Sequence, residues 1–285
     1  KIYFPDDGYT KGDLIEYYDS VSKYILPYLK DRPESLNRHP NGIYEQSFFQ
    51  KDMRDTAPDW ADTELIYSES NDKDINYFVC NNKASLLYLV NLGCIEINPW
   101  FSRTKNLEYP DYCVIDLDPE DIGFDKVVET ALVVKEVLDE AGAKSYCKTS
   151  GATGLHIYIP LKAKYNYDVS REFAHLIGKI VHKQIPGFTS LERSPSKRKK
   201  KVYLDYLQNR TGQTLASPYS ARPRQGATVA TPLEWNEVKK GLDPKQFTIK
   251  NTIKRLEKKG DIFKPVLGKA INIEACIKRL EVKGY

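Results

Sequence analysis

The sequence predicts an α+β fold, with mixed and antiparallel sheets flanked by helices, and three observations carry that expectation. Segments of strand-like and helix-like period are intermixed and do not keep a strict βαβα alternation. The strand that would follow a helix crossover is not the uniformly apolar run of a doubly wound parallel sheet. Neither an internal repeat nor a low-complexity linker interrupts the 285 residues. We therefore treat the chain as one domain, with a weakly marked passage from an N-terminal part, about 1–105, to a core of about 106–285.

The elements follow in order. Thr10 and Asp13 form a capping-box-like start, and Leu14, Ile15, Tyr18, Val21, Ile25 and Leu29 recur at helical spacing behind it. DRPESLNRHPNGI is turn-rich and leads into an extended EQSFFQK. Between 75 and 97, two short strand-like pieces flank a helix at ASLLYLVNLG. Residues 111–117 read as a strand. A helix over 124–141 carries Phe124, Val127, Val128, Ala131, Val134 and Leu138, with Gly142 at its C-cap. Strands at 144–149 and 155–161 surround the loop SGATG, and a helix over about 169–185 carries Phe173, Leu176, Ile177, Ile180 and Val181 on one face. The basic run RSPSKRKKK, a strand VYLDYL, the loop SARPR, a helix near 234–240 and a charge-alternating C-terminal segment complete the chain.

Composition narrows the class. With 43 basic and 39 acidic residues the net charge is only +4, so a nucleic-acid partner must be argued from charge placement. The 20 tyrosines suit stacking or hydroxyl-bearing surfaces. Cys80, Cys94, Cys113, Cys147 and Cys276 include no C-x-x-C pair, which speaks against a thiolate zinc site and a disulfide framework. Reduced, packed thiols and a cytoplasmic setting are expected. The apolar stretches are too short for a membrane helix, and no basic-then-apolar leader opens the chain. Its first residue is Lys1, so an excised domain is expected.

The chemistry gathers around three acids. In CVIDLDP, Asp116 and Asp118 stand two apart, so in a strand both carboxylates project from one side. Such a pair repels unless a cation intervenes, and hard divalent metals take oxygen ligands. The bland alternative makes Asp118 the start of a turn at DPED and Asp116 a solvated strand residue. Asp205 interrupts a core-like strand, where an unpaired charge costs several kcal/mol. Its partner is either a lysine or the same metals, and three strand carboxylates are what a two-metal site takes from a protein. Between the acids, Gly151 and Gly154 permit a tight turn whose amides can approach an anion, and Ser150 adds a hydroxyl. His156 is either a satisfied core residue or a phosphate contact. His175 and His182, two helical turns apart, are too far apart for one metal and read as surface residues.

Basic and aromatic residues supply the remaining candidates. Arg222 and Arg224 share a side if SARPR is extended, as Pro223 encourages, and arginine forks suit phosphate. The alternative is two surface arginines. The run Arg193–Lys201, which includes Arg198, precedes the Asp205 strand and is either a solvated face or a nucleic-acid backbone clamp. Phe48 and Phe49 cannot both face one core from a strand; one stacks on a base, or the pair closes a hydrophobic corner.

DYCVIDLDPED, KTSGATGLHIYIPL and VYLDYLQN, in that order, resemble the three motifs of the archaeo-eukaryotic primase superfamily. More narrowly, the chain resembles the polymerase domain of bacterial ligase D and its archaeal stand-alone relatives in non-homologous end joining. KIYFPDDGYTKGDLI, NRHPNGIYEQSFFQK, NLGCIEINPW, SARPRQGATVATPLEW and DIFKPVLGKAI extend that resemblance over essentially the whole length. It implies a primase-polymerase-like core with an N-terminal, DNA-end-binding extension packed on it. It also implies two manganese or magnesium ions, with Asp116 and Asp118 coordinating both and Asp205 the one that activates the primer 3′-hydroxyl. Ser150, His156 and Arg222 would hold the incoming NTP or dNTP triphosphate, with Lys51, Gln208 and Arg224 in the same pocket. Lys1 and Lys11 would grip a 5′-phosphate, with Arg38 nearby, and Phe48 and Phe49 would stack at the downstream duplex. Implied partners are DNA ends, Ku and a DNA ligase, fused or separate, in a nucleoid-associated cytoplasmic setting.

Two departures from the family pattern stand out. Thr153 replaces a basic residue that several relatives carry in the turn, so triphosphate binding loses one positive charge. Asn98 replaces a histidine implicated in sensing the sugar, and asparagine also hydrogen-bonds a hydroxyl. The lack of a cysteine cluster separates the chain from replicative primases. The leading expectation is a gap-filling, ribonucleotide-accepting polymerase. The alternatives are a primase-like enzyme that starts strands de novo, or an end-binding module that recruits Ku or a ligase.

Overall fold

A computed structural model describes residues 1–69 and 71–285, and in it the chain divides into two units. The first comprises Lys1–Leu107, Thr214–Thr231 and Lys245–Asp261; the second comprises Glu108–Gln213, Pro232–Pro244 and Ile262–Tyr285.

In the first unit, β1 (Ile2–Phe4) pairs antiparallel with β2 (Tyr9–Thr10) and leads into α1 (Lys11–Leu29). The capping box is complete: Thr10 Oγ accepts from the Asp13 amide, and the Asp13 carboxylate accepts from the Thr10 amide. Leu14, Tyr18, Val21, Ile25 and Leu29 are buried, as their spacing requires. β3 (Leu36–Arg38) runs between β4 (Phe48–Gln50) and β7 (Cys94–Glu96), while β5 (Thr63–Ser68) and β6 (Lys73–Phe78) form an antiparallel ribbon. α2 (Lys83–Asn91) is capped by Asn82. Much of the tyrosine content serves the interior. Tyr18 Oη donates to Ile95 O at 2.7 Å and accepts from the Ala221 amide at 2.9 Å, and Tyr17 Oη donates to Tyr219 O at 2.7 Å. These hydroxyls satisfy backbone groups of the irregular 214–231 segment, which has few ladder partners of its own.

After β8 (Ser102–Arg103) and β9 (Asn106–Pro110), the second unit is built on a six-stranded sheet. Its strands are β10 (Tyr112–Glu120), β11 (Tyr146–Thr149), β12 (Leu155–Pro160), β13 (Thr189–Ser190), β14 (Lys201–Asp205) and β15 (Pro232–Leu233), in spatial order β13-β14-β10-β12-β11-β15. All pairings are antiparallel except β13 with β14. This matches the mixed, largely antiparallel α+β expectation. α3 (Phe124–Ala141) and α4 (Tyr167–Gln184) pack on one another and on β10. The α3 C-cap is Gly142 at φ +70°, and Arg279 Nη1 donates to Ala141 O beside it.

Two local expectations are corrected here. The helix expected near 234–240 is a single 3-10 turn, Trp235–Glu237. Glu234 and Glu237 cap it reciprocally, and Trp235 Nε1 donates to Ser145 O at 2.9 Å, so the segment is anchored before a second turn can form. His175 and His182 are not surface residues but half-buried. The His175 ring stacks on Tyr206 with centroids 4.1 Å apart, and His182 Nδ1 lies 2.9 Å from Thr189 Oγ1. The five cysteines are free thiols and buried, and burial pushes Cys94 and Cys113 up to about 12. Among the described residues, no helix is long and apolar enough to cross a membrane.

Candidate metal and nucleotide site

The D-x-D pair stays in strand conformation, because β10 continues through Pro119 to Glu120 by pairing with β14. The turn reading of Asp118 is thereby excluded. Register decides the rest: Asp116 is the direct cross-strand partner of Asp205 on one side and of His156 on the other, and Asp118 faces Tyr203. One carboxylate oxygen from each of Asp116, Asp118 and Asp205 falls within a set whose members all lie within 4.8 Å of one another. Gln208 Nε2 bridges two of them, 3.5 Å from Asp116 Oδ2 and 3.4 Å from Asp205 Oδ2. Asp205 ends its strand and is half-buried; its Oδ1 accepts from the Leu207 amide at 2.8 Å and from Tyr203 Oη at 3.1 Å.

The residues present fit a hard divalent cation. The donors are all oxygen, and burial raises the Asp205 carboxyl above its ordinary value despite the Leu207 and Tyr203 hydrogen bonds and the Arg198 and Arg193 charges. Folded Asp205 thus holds its proton more tightly than the unfolded chain does. It costs stability at neutral pH, and the cost is relieved as pH falls through the raised value to the ordinary aspartate range. Asp205→Asn is accordingly expected to raise the melting temperature of the chelator-treated protein at pH 7, with the gain shrinking toward pH 4. Calorimetry in chelator checks this, and a lower melting temperature for the variant at pH 7 contradicts it.

The glycine turn lies against these acids. An ideal Cβ on Gly154 would sit 2.3 Å from Leu117 O and 3.6 Å from Asp118 Oδ1, so no larger residue fits that contact. Gly151 adopts φ +71°, where a side chain is strained. Ser150 closes the turn: its Oγ accepts from the Ala152 and Gly154 amides, each at 3.0 Å, and its own amide donates to Gly154 O. The Ala152 and Gly154 amides thus shape the loop, with Ser150 as its organiser.

Three contributors in this unit escaped the sequence reading. Lys148, with no solvent exposure, directs Nζ to within 2.9 Å of His156 Nδ1, while His156 Nε2 lies 3.3 Å from Asp116 Oδ1. His156 is thus buried and also joined to the acid cluster. Asn209 takes over where β14 has ended, as its Oδ1 accepts from the Val114 amide at 2.8 Å and its Nδ2 donates to Val114 O at 2.7 Å. A side chain so continues the ladder beside Asp116. Tyr203 couples the basic run to the acids, because the Arg198 guanidinium stacks 3.7 Å from its ring centroid and its hydroxyl binds Asp205. Lysine and asparagine in polar stretches carry no sequence signal for burial; only the i, i+2 spacing of Tyr203 and Asp205 hinted at a shared face. Arg198 itself is buried, whereas Arg193, Lys197, Lys199 and Lys200 of the run are exposed.

The other candidates belong to the first unit. Arg222 Nε lies 2.7 Å from Glu96 Oε2. The SARPR segment is not extended as expected: the Arg224 amide donates to Arg222 O at 2.8 Å, a tight turn that the fixed φ of the central Pro223 favours. Arg224 and Lys51 are exposed, and Asn98 is buried, its carbonyl accepting from the Ser35 amide. Phe48 and Phe49 are 44 % and 71 % exposed, which rules out a buried corner. β4 is the edge strand of its sheet, and the Arg38 guanidinium covers the Phe48 ring at 5.1 Å. Lys11 stands at the start of α1, its amide donating to Lys1 O at 2.8 Å. Burial, and then the neighbouring Lys1 charge, lower the Lys11 ammonium below its ordinary value. Lys1 Nζ donates to Pro40 O at 2.7 Å and to Asn41 Oδ1.

Comparison with known proteins is consistent along the chain. Residues 10–263 match the family model described as LigD, primase-polymerase domain. The bifunctional non-homologous end joining protein LigD of Bacillus subtilis is 39 % identical over 265 residues, covering 92 % of this chain and 42 % of that protein. The multifunctional LigD of Mycolicibacterium smegmatis is 28 % identical, over 93 % of this chain and 35 % of its own length. The chain thus spans about two fifths or less of these relatives. The solved polymerase domain of Mycobacterium tuberculosis ligase D, in complex with DNA, superposes with a TM-score of 0.87 at 26 % identity, covering 95 % of this chain and 96 % of that one. Three strand acids, a glycine turn held against them and a family match over most of the length lead to one statement: the chain belongs to the LigD primase-polymerase domain family.

Proposed function

We propose that this domain is a template-dependent nucleotidyltransferase that fills short gaps and extends 3′ ends at DNA breaks in non-homologous end joining. One observation carries the reading above all: three strand carboxylates converge beside a turn that Gly154 holds against β10. Asp116 and Asp118 would hold two divalent cations, manganese or magnesium, and Asp205 the one beside the primer 3′-hydroxyl. Bound there, the cations supply charge neutralisation for an in-line displacement at phosphorus. Ser150 and His156 bind and orient the triphosphate, with Gly151 and Gly154 shaping the turn. Arg222, Arg224, Lys51 and Gln208 add nucleotide contacts, and Glu96 orients the Arg222 fork through Nε. A pure end-binding module has no use for clustered acids beside phosphate, where they repel it.

Lys1 and Lys11 are proposed to take a 5′-phosphate, with Arg38 alongside and the exposed Phe48 and Phe49 rings stacking at the duplex edge. Asn98 is proposed to read the sugar. One neutral hydrogen bond contributes about 0.5–1.5 kcal/mol, so a ribonucleotide preference of a few-fold to about tenfold is expected. Exposed Arg193, Lys197, Lys199 and Lys200 suit a nucleic-acid backbone, with buried Arg198 bracing them at Tyr203. Ku and a ligase, in the same polypeptide or separate, would complete the repair in a cytoplasmic, nucleoid-associated setting.

The test is primer extension on a gapped duplex, with the downstream end phosphorylated or not and NTPs compared with dNTPs. Extension and tighter binding on the 5′-phosphorylated gap are expected, with the difference shrinking in salt and disappearing in Lys11→Ala. Equal affinity for both ends at low salt defeats the end-recognition assignment. Efficient synthesis on unprimed template would favour the primase-like alternative.

A further inference from the structure

Lys148 is fully buried, and the chemistry proposed above gives it no task. Its Nζ lies 2.9 Å from His156 Nδ1, 3.4 Å from Thr149 O and 5.8 Å from the Tyr158 ring centroid. Lys148, His156 and Asp116 are successive cross-strand partners on β11, β12 and β10, so their side chains form one rung across the sheet. Elementary hydrogen-bond chemistry then sets the direction of every link. A carboxylate only accepts, so the His156 Nε2 that faces Asp116 Oδ1 at 3.3 Å carries the hydrogen. An ammonium only donates, so Nδ1 presents its lone pair to Lys148.

We propose that Lys148 is a positioning residue that locks His156 in the Nε2–H tautomer and in its ring orientation. His156 Nε2–H can then hold Asp116 in place for the metals, and it is the single ring donor that a bound triphosphate would share. Burying a lone ammonium costs several kcal/mol. Here the cost is offset because the imidazole links the ammonium to the Asp116 carboxylate, making a buried ion pair with a ring between its charges. A lysine that merely filled space would have no reason to align its Nζ with one ring nitrogen. The kinetic consequence rests on the polymerase reading above; the tautomer does not.

The test uses the whole chain with 15N-labelled histidine. The protein has four histidines, so the His156 imidazole nitrogens are assigned by difference with His156→Gln. Long-range proton–nitrogen correlation is expected to show a single Nε2–H tautomer in the parent. In Lys148→Met, which keeps an unbranched apolar stem and removes the donor, the Nδ1–H form should appear. Metal-supported kcat/KM should fall about 10-fold or more, mostly through nucleotide KM. Lys148→Gln, which retains an N–H, should lie between the two and serves as the reading if the methionine variant does not fold. An Nδ1–H tautomer in the parent, or unchanged His156 signals in the variants, overturns the proposal. A parent without polymerase activity refutes the functional reading instead, and the tautomer measurement still decides the role of Lys148.

Discussion

Asp116→Asn is expected to abolish nucleotide addition, with a loss of at least about 10³-fold, or ~4 kcal/mol of barrier. Asp116 stands at the centre of the cluster, paired across the sheet with both Asp205 and His156, and Gln208 reaches its Oδ2. Removing its charge leaves two acids for two cations and weakens the link to His156 Nε2 from a charge-assisted to a neutral hydrogen bond. The fold should survive, because an amide of the same shape can still accept at one oxygen and Asn209 continues to hold β10 through Val114. DNA affinity should be unchanged or slightly higher, since a negative charge near phosphate has been deleted. Single-turnover extension with manganese and with magnesium, beside a binding isotherm for the gapped duplex, measures both quantities. Activity within about tenfold of the parent, ~1.4 kcal/mol, would remove the two-metal assignment.

Gly154→Ala should have the next largest effect, although it adds a single methyl group. The new Cβ would stand 2.3 Å from Leu117 O and 3.3 Å from its carbonyl carbon, a backbone contact that no rotamer change relieves. Either the turn or β10 must move, and overpacking of this kind typically costs about 1–3 kcal/mol. Because Leu117 lies between the two acids of the D-x-D pair, a shift there misplaces Asp116 and Asp118 together. We expect a lower melting temperature and manganese affinity reduced at least about tenfold, read by calorimetry and by titration of free manganese with EPR. Gly151→Ala is the control. Its positive φ strains the same turn at a cost of about 1 kcal/mol, which separates backbone strain from the contact with Leu117. Equal metal affinity in Gly154→Ala and the parent would show that the turn does not support the acids.

The sequence by itself determined the α+β class, the capped start of α1, the Gly142 end of α3 and the common face of Asp116 and Asp118. Each of these depends on residues within a few positions of one another, where helical period, the strand's two-residue alternation and cap chemistry act locally. It also placed the glycine turn and the third acid in a recognisable order. Only the tertiary structure decided that Asp205 pairs with Asp116, that Ser150 spends its oxygen on the turn, and that Asn209 substitutes for a strand. It likewise decided that Lys148, which reads as an ordinary strand lysine, lies wholly inside, and that Phe48 and Phe49 both face outward. The physical reason is register. Which residue stands opposite another, and whether a polar side chain is buried with a partner, depends on pairing between strands distant in the chain.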